Sequence, residues 1–175
     1  DAYGLVRTAM RSEGPTIFLE PKTLYNAKQA SAVVPEDFEV PFGKARVRRE
    51  GTDLTILTYG NTVHFSLEAA EKLQEEMGVN IEVVDLRSLS PLDEETIIAS
   101  VAKTNRCLVI HEDKVFGGFG GELVALINEK AFELLDAPVK RVGSPYIPVG
   151  FNRILERATL PNTAKIIDAI KEMLA

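Results

Sequence analysis

Apolar and polar positions change rhythm along this chain, and the changes mark its elements. Leu54-Thr55-Ile56-Leu57-Thr58, Ile81-Glu82-Val83-Val84-Asp85-Leu86 and Cys107-Leu108-Val109-Ile110 are short runs rich in apolar and β-branched residues, the pattern of strands buried on both faces of a parallel sheet. Between them the period lengthens. Val63, Leu67, Ala70, Leu73 and Met77 trace one helical face, introduced by Gly60-Asn61-Thr62 and closed by Gly78. Ser90-Pro91 leads into a second helix through Ile97, Ile98 and Val101, with Asp93 and two glutamates near its positive amino end. Leu123, Val124 and Ile127 predict a third. Ile166, Ile167, Ile170, Met173 and Leu174 predict a last one, capped by Thr163. Val139-Lys140-Arg141-Val142 is a short, more polar strand suited to a sheet edge, and Pro145 to Pro161 is irregular or briefly helical. Strands alternating with helices imply βαβ units, hence a mostly parallel sheet with helices on both sides.

Before Gly51 the order is looser. Leu5, Val6, Ala9 and Met10 repeat at helical spacing up to Gly14-Pro15, and Thr16-Ile17-Phe18-Leu19 reads as a short buried strand. One helix and one strand cannot bury themselves, so residues 1–20 are expected to be the tail of a preceding domain or an extension packed on the main one. From Pro21 to about Glu50 no period persists, and Pro35, Pro41 and Gly43 interrupt the run, as in a linker over the surface. Arg46, Arg48 and Arg49 form a basic cluster there, read as a solvated face. The chain opens on Asp1 with no methionine, so it is expected to be a piece of something longer.

Composition narrows the function classes. With 175 residues, 45% hydrophobic and 26% charged, the chain has the make-up of a soluble globular protein of one domain with a small extra piece. A net charge of −6 lacks the basic face that nucleic acid requires. Cys107 is the single cysteine, which excludes an internal disulfide and a CxxC metal site. No apolar run approaches the roughly 20 residues of a membrane span.

The chemistry gathers at Arg106–Ile127, RCLVIHEDKVFGGFGGELVALI, where a strand ends in His111-Glu112-Asp113 and a glycine turn leads into a helix. Such βα junctions line the carboxyl ends of strands, where ligands and partners sit in open α/β sheets. Gly118-x-Gly120 begins a dinucleotide fingerprint, but Leu123 stands where the third glycine belongs, and no Walker lysine follows. The glycines then serve tight turning and close packing of helix on strand. His111 and Glu112 suit either a catalytic or interface role or a structural one. His64 is the only other histidine, too few ligands for zinc. No GxSxG elbow or cysteine–histidine pair is present. The residues supply a scaffold without a complete catalytic set.

Several segments together resemble the β subunit of the thiamine-diphosphate-dependent decarboxylating component of 2-oxoacid dehydrogenase complexes. They are Asp1-Ala2-x-Gly4-Leu5, Ile17-Phe18-Leu19-Glu20-Pro21-Lys22-x-Leu24-Tyr25, Val84-Asp85-Leu86-Arg87-Ser88-Leu89-Ser90-Pro91, His111-Glu112, Gly117-Gly118-Phe119-Gly120 and Ala137-Pro138-Val139. Glu20-Pro21-Lys22 is similar to the branched-chain members. The resemblance implies a three-layer α/β/α fold of the transketolase C-terminal type, mostly parallel with one edge strand of different direction. It implies residues 1–20 as the last helix and strand of a truncated pyrimidine-binding domain, 21–50 as the connector and 51–175 as the second domain.

The implied reaction is oxidative decarboxylation of a 2-oxoacid with acyl transfer to lipoyl. Thiamine diphosphate and magnesium would be held by the α subunit, and the activating glutamate would lie in the absent domain. This fragment would then be inactive alone, with no catalytic or metal residue and no bound cofactor. The implied partners are an α subunit, a second β subunit in an α₂β₂ tetramer and the dihydrolipoyl acyltransferase core, in the cytoplasm of a bacterium or a mitochondrial matrix, with neither nucleic acid nor membrane. Glu20 and Lys22 would lie near the substrate entrance. His111, Glu112, Gly117, Gly118, Phe119 and Gly120 would lie on a subunit interface. The rival readings are a domain of a transketolase or deoxyxylulose-phosphate synthase, and a non-catalytic interaction module.

Overall fold

The computed structural model describes residues 1–27 and 32–174; residues 28–31 of the expected linker and residue 175 lie outside the described residues. Five strands form one sheet in the order β1-β3-β2-β4-β5: β1 (Arg46–Arg49), β2 (Leu54–Thr58), β3 (Ile81–Asp85), β4 (Cys107–Lys114) and β5 (Lys140–Ser144). β2 pairs in parallel with β3 and β4, and β4 in parallel with β5. Six helices accompany them: α1 (Ala2–Arg11), α2 (Thr62–Met77), α3 (Glu94–Thr104), α4 (Gly120–Ala131), α5 (Arg153–Thr159) and α6 (Thr163–Leu174).

The apolar faces read from the sequence close two cores, one on each side of the sheet. Leu54, Ile56, Val83, Leu108 and Ile110 point to one side, where Ala70 and Leu73 of α2 and Ile166 and Ile170 of α6 cover them. Leu57, Val84, Cys107 and Val109 point to the other, against Ile97 and Val101 of α3 and Leu123 and Ile127 of α4. Every residue of β2 and β3 is buried, as the near-continuous apolar runs require. Glu82 is charged yet wholly inside. Its carboxylate is fully buried but accepts from Ser100 Oγ at 2.5 Å and Gly51 N at 3.3 Å, and it pairs with Lys103. Asp93 caps α3 by accepting from Thr96 N at 3.2 Å, and also takes the Ala45 amide at 2.8 Å.

Four expectations change. The antiparallel edge strand is β1, Arg46–Arg49, in what reads as linker; Val139–Val142 overlaps β5, which is an edge strand but parallel. The arginines of β1 are engaged: Arg48 Nη1 lies 3.6 Å from Asp85, and Arg49 donates to Ile81 O at 2.6 Å, while Val47 packs on the α3/α4 core. Charged side chains on a short outer strand also discourage pairing with another sheet. Thr16–Leu19 is irregular, with Ile17 86% and Leu19 80% exposed, because no neighbouring strand meets its backbone groups. Finally, β4 does not stop at Ile110. It runs to Lys114, with a register shift against β5 between Ile110 and Lys114.

Candidate functional site

The chain leaves β2 toward the α2/α6 layer and leaves β4 toward the α3/α4 layer, so neighbouring strands send their connections to opposite faces. That divergence opens a crevice at their carboxyl ends, the position where sheets of this kind carry their sites. Asn61, at the entry to α2, spans it by donating from Nδ2 to Glu112 Oε1 at 3.1 Å. Asn61 stands at the N-cap position of α2, but its side chain makes no cap hydrogen bond.

Beneath this bridge the crevice is filled by rings. His111 is fully buried and lies parallel to Tyr59, with centroids 6.3 Å apart and planes 9° apart; Phe119 meets Tyr59 edge-on at 6.2 Å. The glycine turn folds over the imidazole. A Cβ on Gly120 would stand 2.3 Å from His111 Nε2, one on Gly118 2.8 Å from Cε1 and 2.2 Å from the Lys114 carbonyl, and one on Gly143 3.1 Å from Cε1. These glycines are therefore a contact requirement, met by residues without a side chain.

Neither ring nitrogen of His111 has a hydrogen-bond partner among the described residues. Burial pushes the imidazole below its usual range, opposed by the Asp113 carboxylate and by the Asp113 backbone, whose approach falls short of hydrogen-bond geometry, and reinforced by the Arg141 guanidinium. Burial, with the Asp113 charge, pushes the Tyr59 phenol up to about 12, and burial raises the Cys107 thiol as well. All three groups are neutral at pH 7, and Cys107 is an inert core residue.

The tip of β4 is tied to β5: Ser144 Oγ donates to Glu112 O at 2.8 Å, Val115 N to Ser144 O at 2.9 Å, and Arg141 Nη1 to Val115 O at 2.9 Å. Beyond it, Lys114 Nζ donates to Ile147 O at 2.6 Å, and the Phe116 and Tyr146 rings meet at 4.9 Å. Beside the turn, Leu89, Leu92, Glu94, Phe119 and Glu122 line a shallow hollow of about 370 Å³.

Glu20 and Lys22 are exposed. The Tyr25 hydroxyl donates to the Glu20 carboxylate, and Lys22 opens a single 3-10 turn, Lys22–Leu24. Pro21 lies in contact range of Gly60, at the start of the crevice. The two sets of residues thus share the carboxyl edge of the sheet, joined through Pro21, Gly60, Asn61 and Glu112. Tyr59, Gly143, Ser144 and the apolar run from Tyr146 onward were not singled out from sequence. An aromatic directly after a buried strand was the one available signal, for Tyr59.

A doubly covered sheet with one antiparallel edge strand and a glycine-turned fourth strand defines a class. The sequence pattern of the transketolase C-terminal domain matches residues 43–166, and the chain belongs to that family. Over 99% of its length it is 44% identical to the acetoin:2,6-dichlorophenolindophenol oxidoreductase subunit beta of Bacillus subtilis, of which it covers 50%. Over 100% it is 44% identical to the mitochondrial pyruvate dehydrogenase E1 component subunit beta of Saccharomyces cerevisiae, of which it covers 48%. The chain thus spans about half the length of the curated relatives it matches. Among solved structures, a split-gene transketolase in an inactive beta4 tetramer superposes with a TM-score of 0.68 at 28% identity, covering 81% of this chain and 45% of that one.

Proposed function

We propose that this chain is the carboxyl-terminal portion of a β subunit of a thiamine-diphosphate-dependent 2-oxoacid dehydrogenase, contributing assembly to an enzyme whose chemistry is completed by other polypeptide. The observation that carries the reading is the 44% identity, along essentially the whole chain, to a pyruvate dehydrogenase E1 subunit beta and to the beta subunit of an acetoin oxidoreductase. Residues 1–20 then belong to a pyrimidine-binding domain and 21 to about 42 to the connector, while the second domain starts earlier than residue 51, since it includes β1 and the family match from residue 43. The exposed Ile17 and Leu19 support this, since they await cover from outside the described residues.

Thiamine diphosphate, when bound, supplies the electron sink for loss of carbon dioxide. The residues of this chain do not fit it. The glycine turn at the start of α4 has the form of a phosphate cradle, and His111 fills it from within. Among the described residues no three histidine, cysteine or acidic side chains group to hold a metal ion. We assign the cofactor and magnesium to the α subunit and the upstream half of β.

The partners are that α subunit, a second β subunit and the acyltransferase core. Glu112, Phe119 and the glycine turn form the edge that meets a neighbouring subunit. His111 acts from inside by supporting that turn. Glu20 and Lys22, following the chain past Gly60, border the substrate entrance. Glu20-Pro21-Lys22 favours a branched-chain acid, and the equal identity to an acetoin enzyme and a pyruvate enzyme favours these two as rivals.

The test is full-length β co-expressed with its α subunit and assayed for dye reduction with pyruvate, 3-methyl-2-oxobutanoate and acetoin. One substrate should turn over. Lys22→Ala should raise KM with kcat retained, and Phe119→Ala should lower the tetramer fraction. Wild-type behaviour in both variants discards the two placements; no turnover with either 2-oxoacid, or turnover of acetoin alone, discards the reading.

A further inference from the structure

We infer that Arg87 is a latch that fixes one orientation of an amino-terminal body, α1 with residues 36–40, against the sheet, about a hinge at Pro41–Gly43. The inference goes beyond the subunit reading above and stands without it. α1 is fastened to the segment ahead of β1 rather than to the sheet. A Cβ on Gly4 would stand 2.7 Å from Val40 Cγ2 and 3.0 Å from Phe38 Cε1. Thr8 Oγ1 donates to Val40 O at 2.7 Å, the Tyr3 hydroxyl donates to Glu36 O at 2.8 Å, and Arg7 and Arg11 pair with Glu39. Leu5 and Val40 are buried, yet they belong to neither core of the sheet. These contacts make one body of the helix and the segment.

The body leaves through one passage, the turn Phe42–Gly43, where Gly43 takes φ +70°, a conformation free to glycine. Just past that turn the chain is gripped by the loop after β3. Ser88 Oγ accepts from Gly43 N at 2.8 Å, and Asp93 accepts from Ala45 N at 2.8 Å. Arg87 donates from Nε to Lys44 O at 2.9 Å and from Nη2 to Ala45 O at 3.2 Å. Its remaining arm crosses the hinge, with Nη1 3.3 Å from the Asp1 carboxylate. Among the described residues, the hydrogen bonds and ion pairs from residues 1–42 to β1 and beyond all run through Asp1, to Arg87 and, at 3.6 Å, to Arg46. Arg87 alone therefore holds both sides. Its backbone is bent to do so: φ is +57°, a region that residues with a side chain avoid, and Asp85 Oδ1 fixes it by accepting from Arg87 N at 3.2 Å. Such backbone persists only where its surroundings over-determine it. A planar guanidinium can serve three acceptors from two segments at once, which an ammonium cannot. With the latch closed, Pro21 lies in contact range of Gly60, so release frees the Glu20–Lys22 segment from the crevice edge.

Pulsed EPR distances between paired spin labels in the whole chain test this without cofactor or substrate, since Cys107 is buried and stays unlabelled. One pair, Met10→Cys with Glu75→Cys on α2, spans the hinge. A second, Met10→Cys with Asp37→Cys, lies within the body; all three positions are exposed. Both pairs should give one narrow distance when Arg87 is intact. Arg87→Ala should raise the share of displaced distances in the spanning pair about tenfold, as loss of a charge-assisted contact does, and leave the inner pair narrow. Arg87→Gly should open the latch equally while melting at a higher temperature than Arg87→Ala, because glycine takes this φ freely. Asp1→Asn, outside both cores, should also broaden the spanning distance, and Asp1→Glu should keep it narrow. A spanning distance unmoved by Arg87→Ala and Arg87→Gly overturns the inference. So does a spanning pair already broad with Arg87 intact, an inner pair that broadens along with it, or Asp1→Glu as open as Asp1→Asn. Absence of turnover in the assembled enzyme retires the enzymatic reading and leaves the latch standing.

Discussion

A buried site that offers an imidazole no well-formed hydrogen bond favours its neutral form, and His111 lies in such a site among the described residues. The cage is made of glycine backbone, so its tolerance for added atoms is small. Gly120→Ala would set a methyl group against Nε2 and should destabilise the fold by about 1–3 kcal/mol in urea unfolding. Gly120→Ala combined with His111→Ala should cost less than the sum of the single changes, because the clash and the cavity occupy the same space. The titration has a definite sign. A histidine whose folded pKa is depressed binds fewer protons folded than unfolded, so stability is complete above the unfolded value of about 6.5 and falls as pH drops below it. His64 is also lowered, by burial and by Arg48. Unfolding free energy measured from pH 8 to 5 should therefore fall in wild type, and fall less in His64→Asn and in His111→Asn. Close packing of helix on strand through the glycines was readable from their spacing. That they pack on His111 was not, because the contact depends on β4 continuing past Ile110.

At the scale of elements, strands and helices after Gly51 follow from their periods, since a doubly covered parallel sheet makes a buried run and an amphipathic face unambiguous. Failures cluster where one strand has few apolar residues or where an apolar run has no neighbour. β1 offers only Val47 to the core and binds through backbone and Arg48–Asp85, signals that the residue pattern does not carry. Thr16–Leu19 has the pattern without a partner. Its exposure has a consequence: in this chain Ile17→Ser should change stability by no more than about 0.5 kcal/mol, as surface substitutions do. Ile166→Ala, fully buried between α6 and the sheet, should cost about 2–5 kcal/mol. Denaturant midpoints of the two variants decide the contrast, and a large loss from Ile17→Ser would mean that this segment packs where it is described as bare.

For the whole molecule, one well-built sheet stands beside two bare apolar areas, at α1 with Ile17 and Leu19, and at Phe116 with Tyr146–Leu155. The crevice where a ligand would sit is closed by Tyr59, His111 and Phe119. The molecule is thus invested in surfaces more than in a pocket, which fits a chain spanning half of its relatives' length. The family was readable from short segments scattered over the chain. The substrate was not, because relatives of this chain with different substrates share its pattern at similar identity. The most direct measurement is 2-oxoacid-dependent dye reduction with thiamine diphosphate and magnesium, by this chain alone and by the complete β subunit with its α subunit. The account predicts no turnover from the chain and substrate-dependent turnover from the assembly; turnover by the chain unaided would contradict it.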